Sequence, residues 1–327
     1  MPAQPRTNRE FDVLRPHRLA DTRVAVALLA ALICSRPADA QQLGNKLLGS
    51  AGADAGTQPP PGLYVAVRVL GYGADKVRNR DGDVVPIDGL NIDAIGAAFG
   101  AAYTIKPAHA PYLTFAAAVP YASIDINSSN PAASLNGVGF ADLFLQPLKA
   151  GWRHPRFDVV TGYMIYVPTG RYEPRESAGP GRGYWTQQFS AGGAAYFDTT
   201  RSSVASALAS FEINSERERI DIKRGNLFQI QGGIVVAVSK TIRIGAAGFA
   251  LWQITHDRGR DIPPALRDEW TRAFGLGPEL GIMVPPLRLR IDARVEREFG
   301  VRSRTQGTVA AVSLSHAANI GRSRMPR

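Results

Sequence analysis

The stretch LRLRIDARVEREF, residues 287–299, alternates charged and apolar side chains along nearly its whole length. Arg288, Arg290, Asp292, Arg294, Glu296 and Glu298 hold one phase. Leu287, Leu289, Ile291, Ala293, Val295 and Phe299 hold the other, and only Arg297 interrupts them. On a helix, steps of two residues advance about 200° and scatter both classes around the cylinder. On a strand they separate onto two faces, one a charged ladder and the other apolar. At about 3.3 Å per residue the segment is roughly 40 Å long, well beyond a common strand. That length suits a tilted membrane crossing, where about 9–11 residues traverse the apolar layer. It also suits a long strand of a soluble sandwich with one face in water, and the rest of the chain must decide.

Composition does not choose between these. An apolar content of 45% and a mean hydropathy of −0.11 fit a soluble protein. They fit a membrane barrel equally, because lumen-facing polar residues offset lipid-facing apolar ones. The N-terminus is more informative. Residues 24–34, VAVALLAALIC, form an apolar run too short to span a bilayer as a helix. Arg15, Arg18 and Arg23 precede it and Ala38-Asp39-Ala40 follows, as in a secretory signal peptide. Residues 1–40 are therefore expected to be a signal peptide with an N-terminal extension, cleaved before Gln41. The sole cysteine, Cys34, lies inside this run, so the mature chain is expected to carry no disulfide or thiolate metal site. Its basic residues are spread through strands and loops without a basic block, which argues against nucleic acid as a partner.

Residues 41–61, rich in Gly, Ala, Gln and Pro, read as a flexible periplasmic lead-in. Twelve alternating segments follow, at 62–74, 90–105, 111–126, 138–152, 157–169, 183–197, 203–214, 226–237, 242–254, 272–284, 287–299 and 305–315. Short links at 106–110, 154–156, 198–201, 238–241 and 285–286 alternate with long polar ones at 75–89, 127–137, 170–182, 215–225 and 255–271. Short turns on one side and long loops on the other are the signature of an outer-membrane barrel. The expected fold is therefore all-β, a transmembrane antiparallel β-barrel of about 12 strands over residues 62–315, with a C-terminal tail at 316–327. Tyr64, Tyr103, Trp152, Tyr184, Trp185 and Trp252 stand near strand ends as candidate interfacial girdles.

The stretches PPPGLYV (59–65), GFADLFLQPLKAGW (139–152), YVPTGRY (166–172), GYWTQQ (183–188), WQ (252–253) and GPELG (277–281) resemble the SphA-like, phenol-degradation meta-pathway family of outer-membrane transporters. The resemblance runs from about residue 59 to 314. It implies a barrel for uptake of small hydrophobic or aromatic compounds, with outer-membrane lipid, lipopolysaccharide and the barrel-assembly machinery as partners. None of its motifs is a catalytic signature, and it implies no cofactor. The chain departs from the usual barrel ending, which closes on an aromatic residue, by running on as SHAANIGRSRMPR.

Six charges facing lipid would be costly, at about 2–4 kcal/mol for each basic residue near the midplane. The charged ladder Arg288, Arg290, Asp292, Arg294, Glu296 and Glu298 is therefore expected to face the lumen. Arg68, Asp142, Gln146, Gln188, Glu212, Gln229, Gln231 and Glu279 join it as lumen-lining candidates. These charges either select permeants, or pair with Asp142, Glu212 and Glu279 to brace a closed interior. Pro147 is expected to mark a bulge or kink. Arg171 and Tyr172, after Pro168 and Gly170, are loop candidates for contact with a ligand or lipopolysaccharide. RNRDGD (78–83) lacks the acidic spacing of a calcium loop and reads as an Asp-Gly turn. His256-Asp257 has no nucleophile elbow to serve, so an outer-membrane hydrolase is the weakest reading. A non-conducting structural or ligand-binding barrel is the main alternative to a channel.

Overall fold

The computed structural model describes residues 51–129, 134–172, 179–262 and 269–318. The expected signal peptide, residues 41–50 of the expected lead-in and the last nine residues of the expected tail lie outside them. The strands are β1 (Gly62–Arg78), β2 (Val84–Val85), β3 (Asn91–Ile105), β4 (Tyr112–Asn127), β5 (Leu135–Phe140), β6 (Leu143–Arg153), β7 (Phe157–Val167), β8 (Thr186–Tyr196), β9 (Val204–Asn214), β10 (Leu227–Ala237), β11 (Ile242–Gln253), β12 (Arg272–Val284), β13 (Leu289–Arg302) and β14 (Arg304–Ala318).

Each long strand pairs antiparallel with its sequence neighbour, and β14 pairs with β1 from Leu63↔Ala318 to Arg78↔Arg304, closing the ring. Twelve staves form the wall, because β2 only extends the β1 edge and β5 and β6 are two parts of one stave. Closure leaves no sheet edge, which a backbone in hydrocarbon requires. The outer face is apolar: Phe99, Leu276, Phe299, Val236 and Ile234 are each about half exposed or more. A water-soluble protein would not leave so much apolar surface uncovered, whereas a lipid-facing band requires it.

The expected strands and turns are found close to their sequence positions, with four differences. The 138–152 segment is broken: β5 pairs β4 between Tyr121↔Phe140 and Ile126↔Leu135, and β6 resumes pairing at Ala118↔Phe144. Ala141 donates to Pro120 O at 2.9 Å across the break. Just below it, Pro147 falls out of register with both neighbours, as suits a residue without an amide proton. The last strand runs to Ala318, so residues 316–318 of the expected tail are sheet. Tyr184 is buried rather than at a girdle, while Tyr103, Trp152 and Trp185 are 45–50% exposed. Trp252, one residue from the end of β11, sits in an outward aromatic row, with ring centroids 6.0 Å from Phe228 and 5.5 Å from Phe274, which continues to Phe299 at 5.7 Å.

The fourth difference concerns residues 51–61. Far from a flexible lead-in, residues 51–58 pack inside the barrel, with Gly52–Asp54 in a 3-10 turn and Ala53 fully buried, while Pro60 and Pro61 are exposed. Their lack of large side chains is what admits residues 51–58 to a narrow lumen. At Gly56 a Cβ would lie 2.0 Å from Gly193 O, so no side chain fits there.

Candidate functional site

The inner face of β13 presents Arg290, Asp292, Arg294, Glu296 and Glu298 to the lumen, as the alternation predicts. Arg294, Glu296 and Glu298 are almost fully buried. Arg288 is the exception. Pro285–Leu287 form a 3-10 turn in which the two prolines cannot extend the ladder, and Arg288 ends it in a left-handed conformation (φ 48°), exposed at the short-turn end.

Near the start of β13 the ladder meets the inserted N-terminal segment through Arg290. Asp54 bonds Arg243 at 2.9 Å and also Arg290. Asp292 pairs with the same two guanidiniums, at 3.3 Å from Arg243 and 2.8 Å from Arg290. Glu279 accepts the Ala53 amide at 3.0 Å and lies 3.9 Å from Arg294. Asp54, Glu279 and Asp292 place carboxylate oxygens within 4.8 Å of one another. The arginines interleaved among these carboxylates balance their charge. Backbone groups add to the anchorage: Gln58 N donates to Asp158 at 2.9 Å, Ser206 Oγ to Ala53 O at 2.7 Å, and Lys149 Nζ to Thr57 O at 2.7 Å.

The remaining lumen candidates divide. Ala51 N donates to Gln231 at 3.2 Å, Gln231 donates to Gln229 at 3.0 Å, and Gln229 donates to Glu212. Gln188, in register with Glu212, is fully buried, and neither end of its amide has a hydrogen-bond partner among the described residues. Glu298 takes Tyr72 Oη at 2.8 Å and the Gly307 amide at 2.9 Å. Glu279 thus lies within ion-pair reach of Arg294, Glu212 holds the Gln229 amide, and among the described residues Asp142 makes no ion pair with the ladder. Asp142 sits at the stave break and accepts the amides of Gly170 at 3.1 Å and Arg182 at 3.0 Å, tying both ends of a long loop to the wall.

Arg171 is exposed and contributes its backbone, donating to Phe140 O at 2.9 Å. Tyr172 packs beneath Gly183 and under the guanidiniums of Arg217 and Arg219, 5.7 and 5.6 Å from its ring centre. In the loops, Asn79 Oδ1 accepts the amides of Asp81 and Asp83, which makes 78–83 a side-chain-capped turn. Asp257 binds Arg224 and the Gly225 amide, and the His256 ring packs against Trp270 at 4.1 Å.

Two cavities flank this packed middle. Toward the short-turn end is a chamber of about 530 Å³, lined by Arg68, Phe144, Gln146, Lys149 and Tyr166 and floored by Ala51, Asp54 and Ala55. One wall is built of small inward residues of β3 and β4, among them Ala98, Gly100, Ala102, Ala116 and Ala118. At the long-loop end is a vestibule of about 510 Å³ lined by Arg78, Arg182, Tyr184, Arg217, Arg224 and Asp257, among others. Burial, with Arg224 and Arg182 close by, lowers the Arg217 pKa. Between the cavities Leu70, Ile92, Leu227, Phe249 and Leu251 form a buried apolar cluster.

Sequence reasoning missed Asp54, Arg243, Lys149 and Asp158. Arg243 and Lys149 occupy the inward phase of their strands, a signal alternation could have supplied. Asp54 is a lone acid among Ala and Gly residues, and nothing local marks it.

A family described as "Putative MetA-pathway of phenol degradation" matches residues 74–314. Among solved structures, the COG4313 outer membrane channel from Pseudomonas putida F1 superposes with a TM-score of 0.71 at 11% identity, covering 84% of this chain and 100% of that one. The translocator domain of the autotransporter NalP from Neisseria meningitidis gives 0.48 at 11% identity, over 92% and 98% of the two chains. The CymD monoaromatic hydrocarbon channel gives 0.41 at 9% identity, over 80% and 90%. At 11% identity the likeness to the COG4313 channel is one of fold, that of a β-barrel. No curated protein matched in sequence.

Proposed function

Because the chain belongs to the family of the MetA-pathway of phenol degradation, which spans residues 74–314, we propose that it is an outer-membrane channel taking up small hydrophobic or aromatic compounds. The observation that carries this is the chamber: a volume of about 530 Å³ with a small-residue wall and the Phe144–Tyr166 aromatic pair, whose ring centroids are 5.6 Å apart. Such dimensions suit a drug-sized apolar molecule. The inserted segment and the buried middle leave a poor path for water and polar solutes. The chamber reaches Pro120 and Phe144, which border the stave break. An apolar compound in the outer leaflet therefore has a sideways approach to it through the wall.

This reading makes the protein a transporter and not an enzyme, exported by its signal peptide and inserted by the assembly machinery among lipid and lipopolysaccharide. The test is the initial uptake rate of a labelled neutral aromatic by cells with an intact lipopolysaccharide leaflet, with and without the protein. Faster uptake is expected with it. The buried polar middle favours a second reading, a non-conducting structural barrel. A folded, heat-modifiable barrel that leaves uptake unchanged would establish that alternative.

A further inference from the structure

The charges lining the chamber do not cancel. Asp54, Glu279 and Asp292 are matched by Arg243, Arg290 and Arg294. Arg68 and Lys149 remain, and neither has a carboxylate within ion-pair distance among the described residues. Arg68 donates from Nε to Ser313 Oγ at 2.9 Å, and Lys149 Nζ to the Thr57 carbonyl at 2.7 Å. Of the charged groups that line the chamber itself, the four cations Arg68, Lys149, Arg290 and Arg294 face the three carboxylates Asp54, Glu279 and Asp292. A cation inside an apolar-walled cavity is costly unless an anion accompanies it. On the same chamber surface the Ala and Gly wall of β3 and β4 offers no polar side chain, while Phe144 and Tyr166 contribute an aromatic pair.

We infer that the chamber is a binding site for an amphiphilic organic monoanion: an aromatic or apolar body against the small-residue wall, and a carboxylate head on Arg68, with Lys149 adding to the positive field. A planar guanidinium holding one Ser313 bond keeps further N–H groups for a two-point grip on a carboxylate. A dianion would exceed the single excess charge, and a neutral hydrocarbon would leave Arg68 uncompensated. This inference rests on the channel reading and specifies its substrate class.

The test is calorimetric titration of the purified protein with phenylacetate and with its neutral isostere phenylacetamide at low salt. Phenylacetate is expected to bind about tenfold tighter or more. Arg68→Met should abolish the preference, and Arg68→Lys should retain part of it. Equal affinity of the two probes, or a preference that survives Arg68→Met in a heat-modifiable barrel, overturns the site. The isostere comparison on the unaltered protein decides the matter even where Arg68→Met does not fold. A protein that speeds uptake of neutral aromatics but binds both probes equally refutes this site and leaves the channel standing. One that prefers phenylacetate yet speeds no uptake keeps the site and refutes the channel.

Discussion

Asp54→Ala should release the inserted segment from the lumen. The Asp54 carboxylate touches two guanidiniums, Arg243 and Arg290, with side-chain exposures of 23%, 15% and 27% respectively. Charge-assisted hydrogen bonds contribute about 1.5–3 kcal/mol each, and breaking a fully buried pair costs about 3–5 kcal/mol. Here the groups are partly hydrated, and Asp292 stays behind to compensate both arginines. The loss should therefore be about 2–4 kcal/mol. At 1.4 kcal/mol per decade, that raises the population of the displaced segment roughly thirty- to several-hundredfold. The bonds of Ala53 to Glu279 and Gln58 to Asp158 still oppose displacement.

A cysteine at Thr57 provides the readout, since the sequence has no other cysteine beyond Cys34. Its labelling by a membrane-impermeant maleimide should accelerate in the Asp54→Ala background, and single-channel conductance should gain long openings. Gly56→Val should do the same without changing a charge, because its Cβ would meet Gly193 O at 2.0 Å. Unchanged labelling and conductance in both folded variants would refute the view that these contacts hold the segment in place.

Asp142→Ala strips the acceptor from the Gly170 and Arg182 amides. It should cost about 2–3 kcal/mol and make the 170–182 loop cleave faster in limited proteolysis. Ala118→Trp, projecting from the small-residue wall into the chamber, should cut aromatic uptake severely while the barrel stays heat-modifiable. In the short turn after β8, burial alone would raise the Asp198 pKa, but bonds from Thr200, Ser202 and Ser203 outweigh it and hold the carboxylate well below its usual 3.8. The contribution of that turn to stability is thus full above the unfolded value and is lost as pH falls through the folded one. Asp198→Asn should flatten this acid limb in pH-dependent unfolding.

Much of the wall was legible because strand alternation is a local code. Each side chain faces lumen or lipid by parity alone, so β13 could be oriented from its charges and the twelve staves counted from turn chemistry. Parity failed where backbone chemistry overrode it. The two prolines before Leu287 turned Arg288 out of the ladder, and the break at Ala141–Asp142 took Asp142 out of the lumen.

The sequence by itself determined the class of fold, the staves, the inward phase and the apolar outer belt, since all follow from period and turn residues within a few positions. Only the tertiary structure decided that residues 51–58 fill the lumen, that Asp54 meets arginines 189 and 236 positions away, and that Arg68 and Lys149 share one chamber. Those outcomes depend on which staves face one another across a closed ring and on the volume left inside it. No local period encodes either.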